Sequence, residues 1–100
     1  MLLMKNDPKR HTRIRIVYSG RVQGVGFRWQ VMQVSKDFAV TGFVRNLEDG
    51  TVELLVEGDS SEVSRMVGAV EKKLKDFWNS KVEDDRAGDP QFENFSINYL

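Results

Sequence analysis

Arg28 closes the run SGRVQGVGFR (residues 19–28), in which Gly20, Gly24 and Gly26 leave the backbone bare. Glycine takes conformations closed to other residues and lets a ligand approach the main chain. Arginine presents a planar fork of donors that matches oxyanions. Where a strand ends before such a run and a helix begins at its end, free N–H groups and the positive end of the helix dipole favour an anion. A cation in the first helical turn opposes that dipole, at a cost of about 0.3–1 kcal/mol. A phosphate between the Arg28 guanidinium and the backbone amides would remove the cost. The same residues also suit a tight strand-to-helix turn followed by a surface arginine, and on residue types alone both readings stand. The run is not a dinucleotide fingerprint, because Trp29 occupies the place of the last glycine or alanine. It is not a P-loop, since no Gly-Lys-Ser/Thr follows.

Asn46, at the end of GFVRN (residues 42–46), is the second candidate. Asparagine is disfavoured in strands, and its amide both donates and accepts, so it can hold a water and a substrate oxygen together. It equally suits an early turn residue of a hairpin. Its neighbour Arg45 is expected on the opposite face, in solvent. Other reactive side chains carry less. His11 is the sole histidine and has no obvious partner. Ser19 has no histidine base nearby in sequence. Asp84 and Asp85 sit in a polar run and read as solvated charge. With no cysteine and a single histidine, a soft-metal site is not expected.

The elements that must position Arg28 and Asn46 follow from periodicity. TRIRIVYS (residues 12–19) alternates, with Ile14, Ile16 and Tyr18 on one face, and predicts a half-buried strand. Phe27, Val31, Val34 and Phe38 recur at helical spacing. Residues 41–58 predict a hairpin about Asp49-Gly50, with Val52, Leu54 and Val56 pointing inward. A second helix, capped by Asp59, Ser60 or Ser61, carries the stripe Val63, Met66, Val67, Val70, Leu74 and Phe77. Lys72, Lys73 and Lys75 lie near its C-terminal end, where cations are favoured. Residues 78–83 are expected as a strand, DDRAGDPQ (84–91) as an exposed loop, and FENFSINYL (92–100) as a closing strand with Phe95, Ile97 and Tyr99 on one face. Tryptophans and phenylalanines fall mostly on core stripes. The order is that of a ferredoxin-like βαββαβ α+β sandwich, an antiparallel sheet with two helices on one face. Such a fold serves many activities.

Composition bounds the rest. One hundred residues fit one domain; residues 1–11 read as a flexible leader and 12–100 as the domain. Net charge is zero, so no global field points to nucleic acid or membrane. The closing segment lacks basic interleaving, which argues against an RNA-binding sheet face. The absence of cysteine excludes disulfides and thiol catalysis and suits the cytoplasm. MLLMKNDPKR is not expected to act as a signal peptide, because its apolar run is too short.

YSGRVQGVGFR, followed by GFVRN, a DG hairpin and FENFSINY, closely resembles the acylphosphatase family, and the likeness runs from about Thr12 to Tyr99. The resemblance implies a small ferredoxin-like enzyme that hydrolyses the carboxyl–phosphate bond of acyl phosphates without a cofactor or metal. The arginine closing the first motif, Arg28, is then the catalytic arginine that binds the phosphoryl oxygens. The asparagine closing the second, Asn46, is then the catalytic residue that orients the attacking water. Arg21, Val22, Gln23, Gly24, Val25, Gly26 and Phe27 would present backbone amides to the phosphate. Where the family is expected to break with glycine-proline after the second helix, this chain has KDFWNSK (residues 75–81).

The chemistry agrees with the residue set. Arg28 and Asn46 include no general acid and no strong base. An ordinary phosphate ester would need a proton for its alkoxide, whereas an acyl phosphate expels a carboxylate whose conjugate acid has a pKa of roughly 4. Positioning and electrostatic stabilisation of a loose phosphoryl transition state then suffice. The expected partner is a small acyl phosphate, with no nucleic acid and no membrane, and the chain is expected to be a monomer. A different class of function is a non-enzymatic ferredoxin-like module that holds a phosphate-bearing metabolite. A third reading is the first domain of a carbamoyl-phosphate-using hydrogenase maturation protein; such proteins continue into cysteine-rich zinc fingers, and with no cysteine before Leu100 the enzyme is the expectation.

Overall fold

The computed structural model describes residues 11–86 and 89–99. Along the chain lie β1 (His11–Gly20), α1 (Phe27–Ser35), β2 (Val40–Asn46), β3 (Val52–Asp59), α2 (Ser60–Lys73), β4 (Trp78–Arg86) and β5 (Phe95–Asn98). They form one sheet in the order β4-β1-β3-β2-β5.

The pairing decides where the site can be. β1 and β2 each pair antiparallel with β3, so they run in the same direction. Val52, the first residue of β3, is registered with Tyr18 on one side and Asn46 on the other. The glycine loop that leaves β1 and the last residue of β2 therefore emerge at the same end of the sheet. β5 pairs parallel with β2, with Asn98 opposite Arg45, so Tyr99 follows at that end too.

One face of the sheet carries the core. Ile16, Tyr18, Val44, Val52, Leu54 and Val56 are buried against Phe27, Val31 and Val34 of α1 and Val63, Met66 and Val70 of α2. Burying each such side chain is worth roughly 1.5–3 kcal/mol relative to exposure, which pins both helices to this face and fixes where α1 begins. Burial, and then the hydrogen bond to Glu71, push the Tyr18 hydroxyl far above its ordinary range, so it remains a donor to that carboxylate at 2.8 Å.

The opposite face is built from charge. Glu53 is buried and accepts hydrogen bonds from Arg15 and Arg45. Burial pushes its carboxyl up, but the two guanidinium hydrogen bonds outweigh burial and hold it below the ordinary carboxylate range. Glu57, wholly buried, accepts from the amides of Gln91 and Phe92 at 2.7 and 2.8 Å, and His11 and Arg13 approach its other oxygen. Phe92 in turn meets Phe43 edge to face, with ring centres 5.6 Å apart.

The structure departs from the sequence expectations in particular places. The two C-terminal segments are strands, as expected, but they make five strands where βαββαβ has four, and the β2–β5 pair is parallel rather than antiparallel. The polar run from Asp84 to Arg86 belongs to β4, not to a loop. Edge strands favour charged side chains, and here Arg15 is registered with Asp84 and lies 4.0 Å from its carboxylate. Ala87 and Gly88 of the expected loop lie outside the described residues. His11 is the first residue of β1 and faces Glu57, so it is neither part of a leader nor unpartnered; residues 1–10 of the expected leader lie outside the described residues. Arg45 does point away from the core, as expected, but into an ion pair rather than into solvent. β5 ends at Asn98, and Tyr99, expected on one strand face with Phe95 and Ile97, lies past that end and is 71% exposed. Phe38 and Phe77 lie beyond the ends of α1 and α2 and still pack against the core.

Candidate active site

The two helices begin in opposite ways. At α2, Asp59 is the N-cap, its carboxylate accepts from the Ser61 amide at 2.9 Å, and Glu62 stands in the first turn. α1 has no side-chain cap and no acidic residue in its first turn, and Arg28 is its second residue. Gly26 caps it in the left-handed conformation, at φ 80. Gly24 takes φ 76, and a β-carbon added at either glycine would meet nothing within 4 Å. The two glycines are thus required by backbone conformation, not by crowding, and the space over them is open. A helix N-terminus that is uncapped and carries a cation is electrostatically suited to an anion.

A pocket of about 130 Å³ lies over this N-terminus, lined by Val22, Gly24, Gly26, Phe27, Arg28, Trp29, Asn46, Ile97 and Tyr99. Arg28 and Asn46 are eighteen residues apart in sequence and share it. Asn46 follows Val44 by two positions, so its side chain lies on the helix-bearing face, but at the strand's end, where the core gives way to the pocket. Its Oδ1 atom is buried and has no hydrogen-bond partner among the described residues. A buried acceptor left without a donor costs about 1–3 kcal/mol. The hairpin turn beside it is well fixed. The Leu47 amide donates to the Thr51 carbonyl at 2.9 Å, and the Thr51 hydroxyl and amide both donate to Asp49. Those bonds hold the Asp49 carboxyl below its ordinary range.

Of the residues expected from sequence, Val22, Gly24, Gly26, Phe27, Arg28 and Asn46 come together around the pocket. Arg21, Gln23 and Val25 do not line it. Arg21 is exposed and sits 5.6 Å from the Phe77 ring, and Val25 packs toward the core. The Gln23 amide nitrogen donates to the carbonyls of Leu47 and Thr51, both at 2.8 Å. Three lining residues were not singled out in sequence: Trp29, Ile97 and Tyr99. Trp29 is 57% exposed at the pocket rim rather than in the core. Its position two residues past the buried Phe27 was the available signal, since helix residues two apart do not share a face. Among the described residues, no group of three or more His, Cys, Asp or Glu is placed to hold a metal ion, and no helix is long and apolar enough to cross a membrane.

Known proteins resemble most of this chain. A family model described as acylphosphatase matches residues 14–97. A Bacillus licheniformis protein named acylphosphatase is 39% identical over 87 residues, covering 85% of this chain and 96% of that protein. One from Thermococcus kodakarensis is 53% identical over a shorter stretch of 49 residues, which is 49% of this chain and 54% of that protein. Among solved structures, an acylphosphatase from Bacillus subtilis superposes with a TM-score of 0.78 at 31% identity, covering 88% of this chain and 99% of the other.

Proposed function

This chain belongs to the acylphosphatase family, and on that premise we propose that it is an enzyme that hydrolyses the carboxyl–phosphate bond of small acyl phosphates, with Arg28 and Asn46 as its catalytic residues. The phosphoryl group sits over the N-terminus of α1, where the amides of the glycine loop converge on its oxygens. Arg28 supplies charge-assisted hydrogen bonds to the same oxygens. The observation that carries the reading is the buried, unpartnered Oδ1 of Asn46 in the pocket that Arg28 shares. An acceptor held in that state suits a water molecule, which can donate one proton to Oδ1 and present its lone pair to phosphorus.

The chemical step needs little else. Water attacks phosphorus, the P–O bond to the acyl oxygen breaks, and its electron pair leaves on the carboxylate. The water's proton goes to a phosphoryl oxygen or to solvent. The leaving group has a conjugate acid with a pKa of roughly 4 and departs without protonation. Catalysis then rests on positioning and on stabilising charge over the equatorial oxygens.

Hydrolysis of benzoyl phosphate by the wild type and Asn46→Ala, with chelator present and p-nitrophenyl phosphate as control, tests the assignment. Turnover of the acyl phosphate alone, lost in Asn46→Ala, is the expected result. A folded wild type that binds phosphate but turns over nothing would leave an anion-binding module.

A further inference from the structure

Gln23 lies inside the glycine loop, yet its side chain turns away from the pocket toward the hairpin between β2 and β3. Its Nε2 atom spends both protons there, on Leu47 O and Thr51 O, each at 2.8 Å. These two carbonyls form the neck of the turn: Leu47 O also accepts from Gly50 and Thr51 O from Leu47. Leu47 is the residue immediately after Asn46. One side chain therefore joins the loop at the start of α1 to the backbone that carries the candidate water-orienting residue. No strand pairing does this, because β3 lies between β1 and β2.

We propose that Gln23 is a positioning residue, which sets the separation between the phosphate cradle and Asn46 by clamping the loop to the hairpin neck. The inference rests on the acyl phosphate hydrolase reading above. The cradle itself owes its shape to the positive φ of Gly24 and Gly26 and to its covalent join to α1, so it survives without the clamp. What is lost is its registration against Asn46. In-line attack tolerates such an error poorly, and a displacement of about 1 Å can cost 100-fold in rate.

The test measures kcat and KM for benzoyl phosphate, and inhibition by inorganic phosphate, in five proteins: wild type, Gln23→Leu, Gln23→Glu, Asn46→Ala and the double variant Gln23→Leu/Asn46→Ala. Gln23→Leu is expected to lower kcat by about 10- to 100-fold while phosphate inhibition stays near the wild-type value. The double variant should be no slower than Asn46→Ala, because the clamp acts only through Asn46. In Gln23→Glu an ionised carboxylate faces two carbonyls and donates nothing. Its kcat should rise as pH falls and the carboxyl gains a proton, on a limb absent from wild type. That rescue also serves if Gln23→Leu does not fold. Full turnover in Gln23→Leu, equal losses of kcat and phosphate affinity, additive losses in the double variant, or a Gln23→Glu profile without the acid limb would each overturn the proposal. An inactive wild type would instead overturn the hydrolase reading.

Discussion

The guanidinium carbon of Arg28 lies 4.8 Å from the centre of the Tyr99 ring. The ring is largely exposed, and Arg28 with Tyr99 closes one side of the pocket. A cation over an exposed aromatic face gains about 0.5–1 kcal/mol, and here the gain also limits where the guanidinium can point. Tyr99→Ala should therefore weaken inorganic phosphate as a competitive inhibitor by about 2- to 5-fold, the range that energy converts to. Tyr99→Phe should keep wild-type inhibition. An inhibition constant unchanged in Tyr99→Ala would show that the stack does not hold the arginine.

Asn46→Ala separates function from stability. The substitution removes a buried acceptor whose lack of a partner costs about 1–3 kcal/mol, and it leaves the β2–β3 pairing to Val52 in place. The variant should unfold at a urea concentration no lower than wild type, while kcat falls by about 100-fold or more, the scale of a lost positioning effect. Phosphate should still raise its thermal midpoint. A large loss of stability would mean that Asn46 holds the strand end rather than the water.

How far the site could be read in sequence depended on whether a motif was local. The glycines, Arg28 and the start of α1 are contiguous, so loop, dipole and cation were all legible from SGRVQGVGFR. That Asn46 would share a pocket with Arg28 came from family resemblance. Its physical cause is that β1 and β2 both pair with β3, which residue spacing does not reveal. The two C-terminal strands show the opposite difficulty. β4 is an exposed edge, so its Asp84, Asp85 and Arg86 carry no apolar alternation and read as loop. Tyr99 alternates correctly with Phe95 and Ile97, yet it lies one residue past the end of β5 and turns to Arg28 instead. Gln23 gave no sign of its role, because its two acceptors are more than twenty residues away.

Arg28→Ala is expected to change the unliganded protein little. Removing a cation from the first turn of α1 relieves about 0.3–1 kcal/mol of repulsion with the helix dipole. Losing the Tyr99 contact costs about 0.5–1 kcal/mol, so the two nearly cancel. Ligand-linked stability should change completely. Phosphate that binds only the folded state raises the midpoint with concentration, and in Arg28→Ala that rise should vanish along with turnover. Thermal scans with and without phosphate check both halves.

Glu53 should give the fold an acid-sensitive element remote from the pocket. Its carboxyl titrates below the ordinary value in the folded chain, because the hydrogen bonds from Arg15 and Arg45 outweigh burial. The unfolded chain therefore takes up this proton first as pH falls. The stabilisation is fully present above the unfolded pKa of about 4.3 and is lost as pH drops through the folded value. In Glu53→Gln that contribution is gone. Urea midpoints measured from pH 7 down to pH 3 should fall more steeply below about pH 4.3 in wild type than in Glu53→Gln. Other carboxylates titrate in both proteins, so the difference between the two slopes isolates Glu53. Parallel slopes would mean that Arg15 and Arg45 do not bias this group. The pH dependence of phosphate binding should be the same in both, since Glu53 faces away from α1 and does not line the pocket.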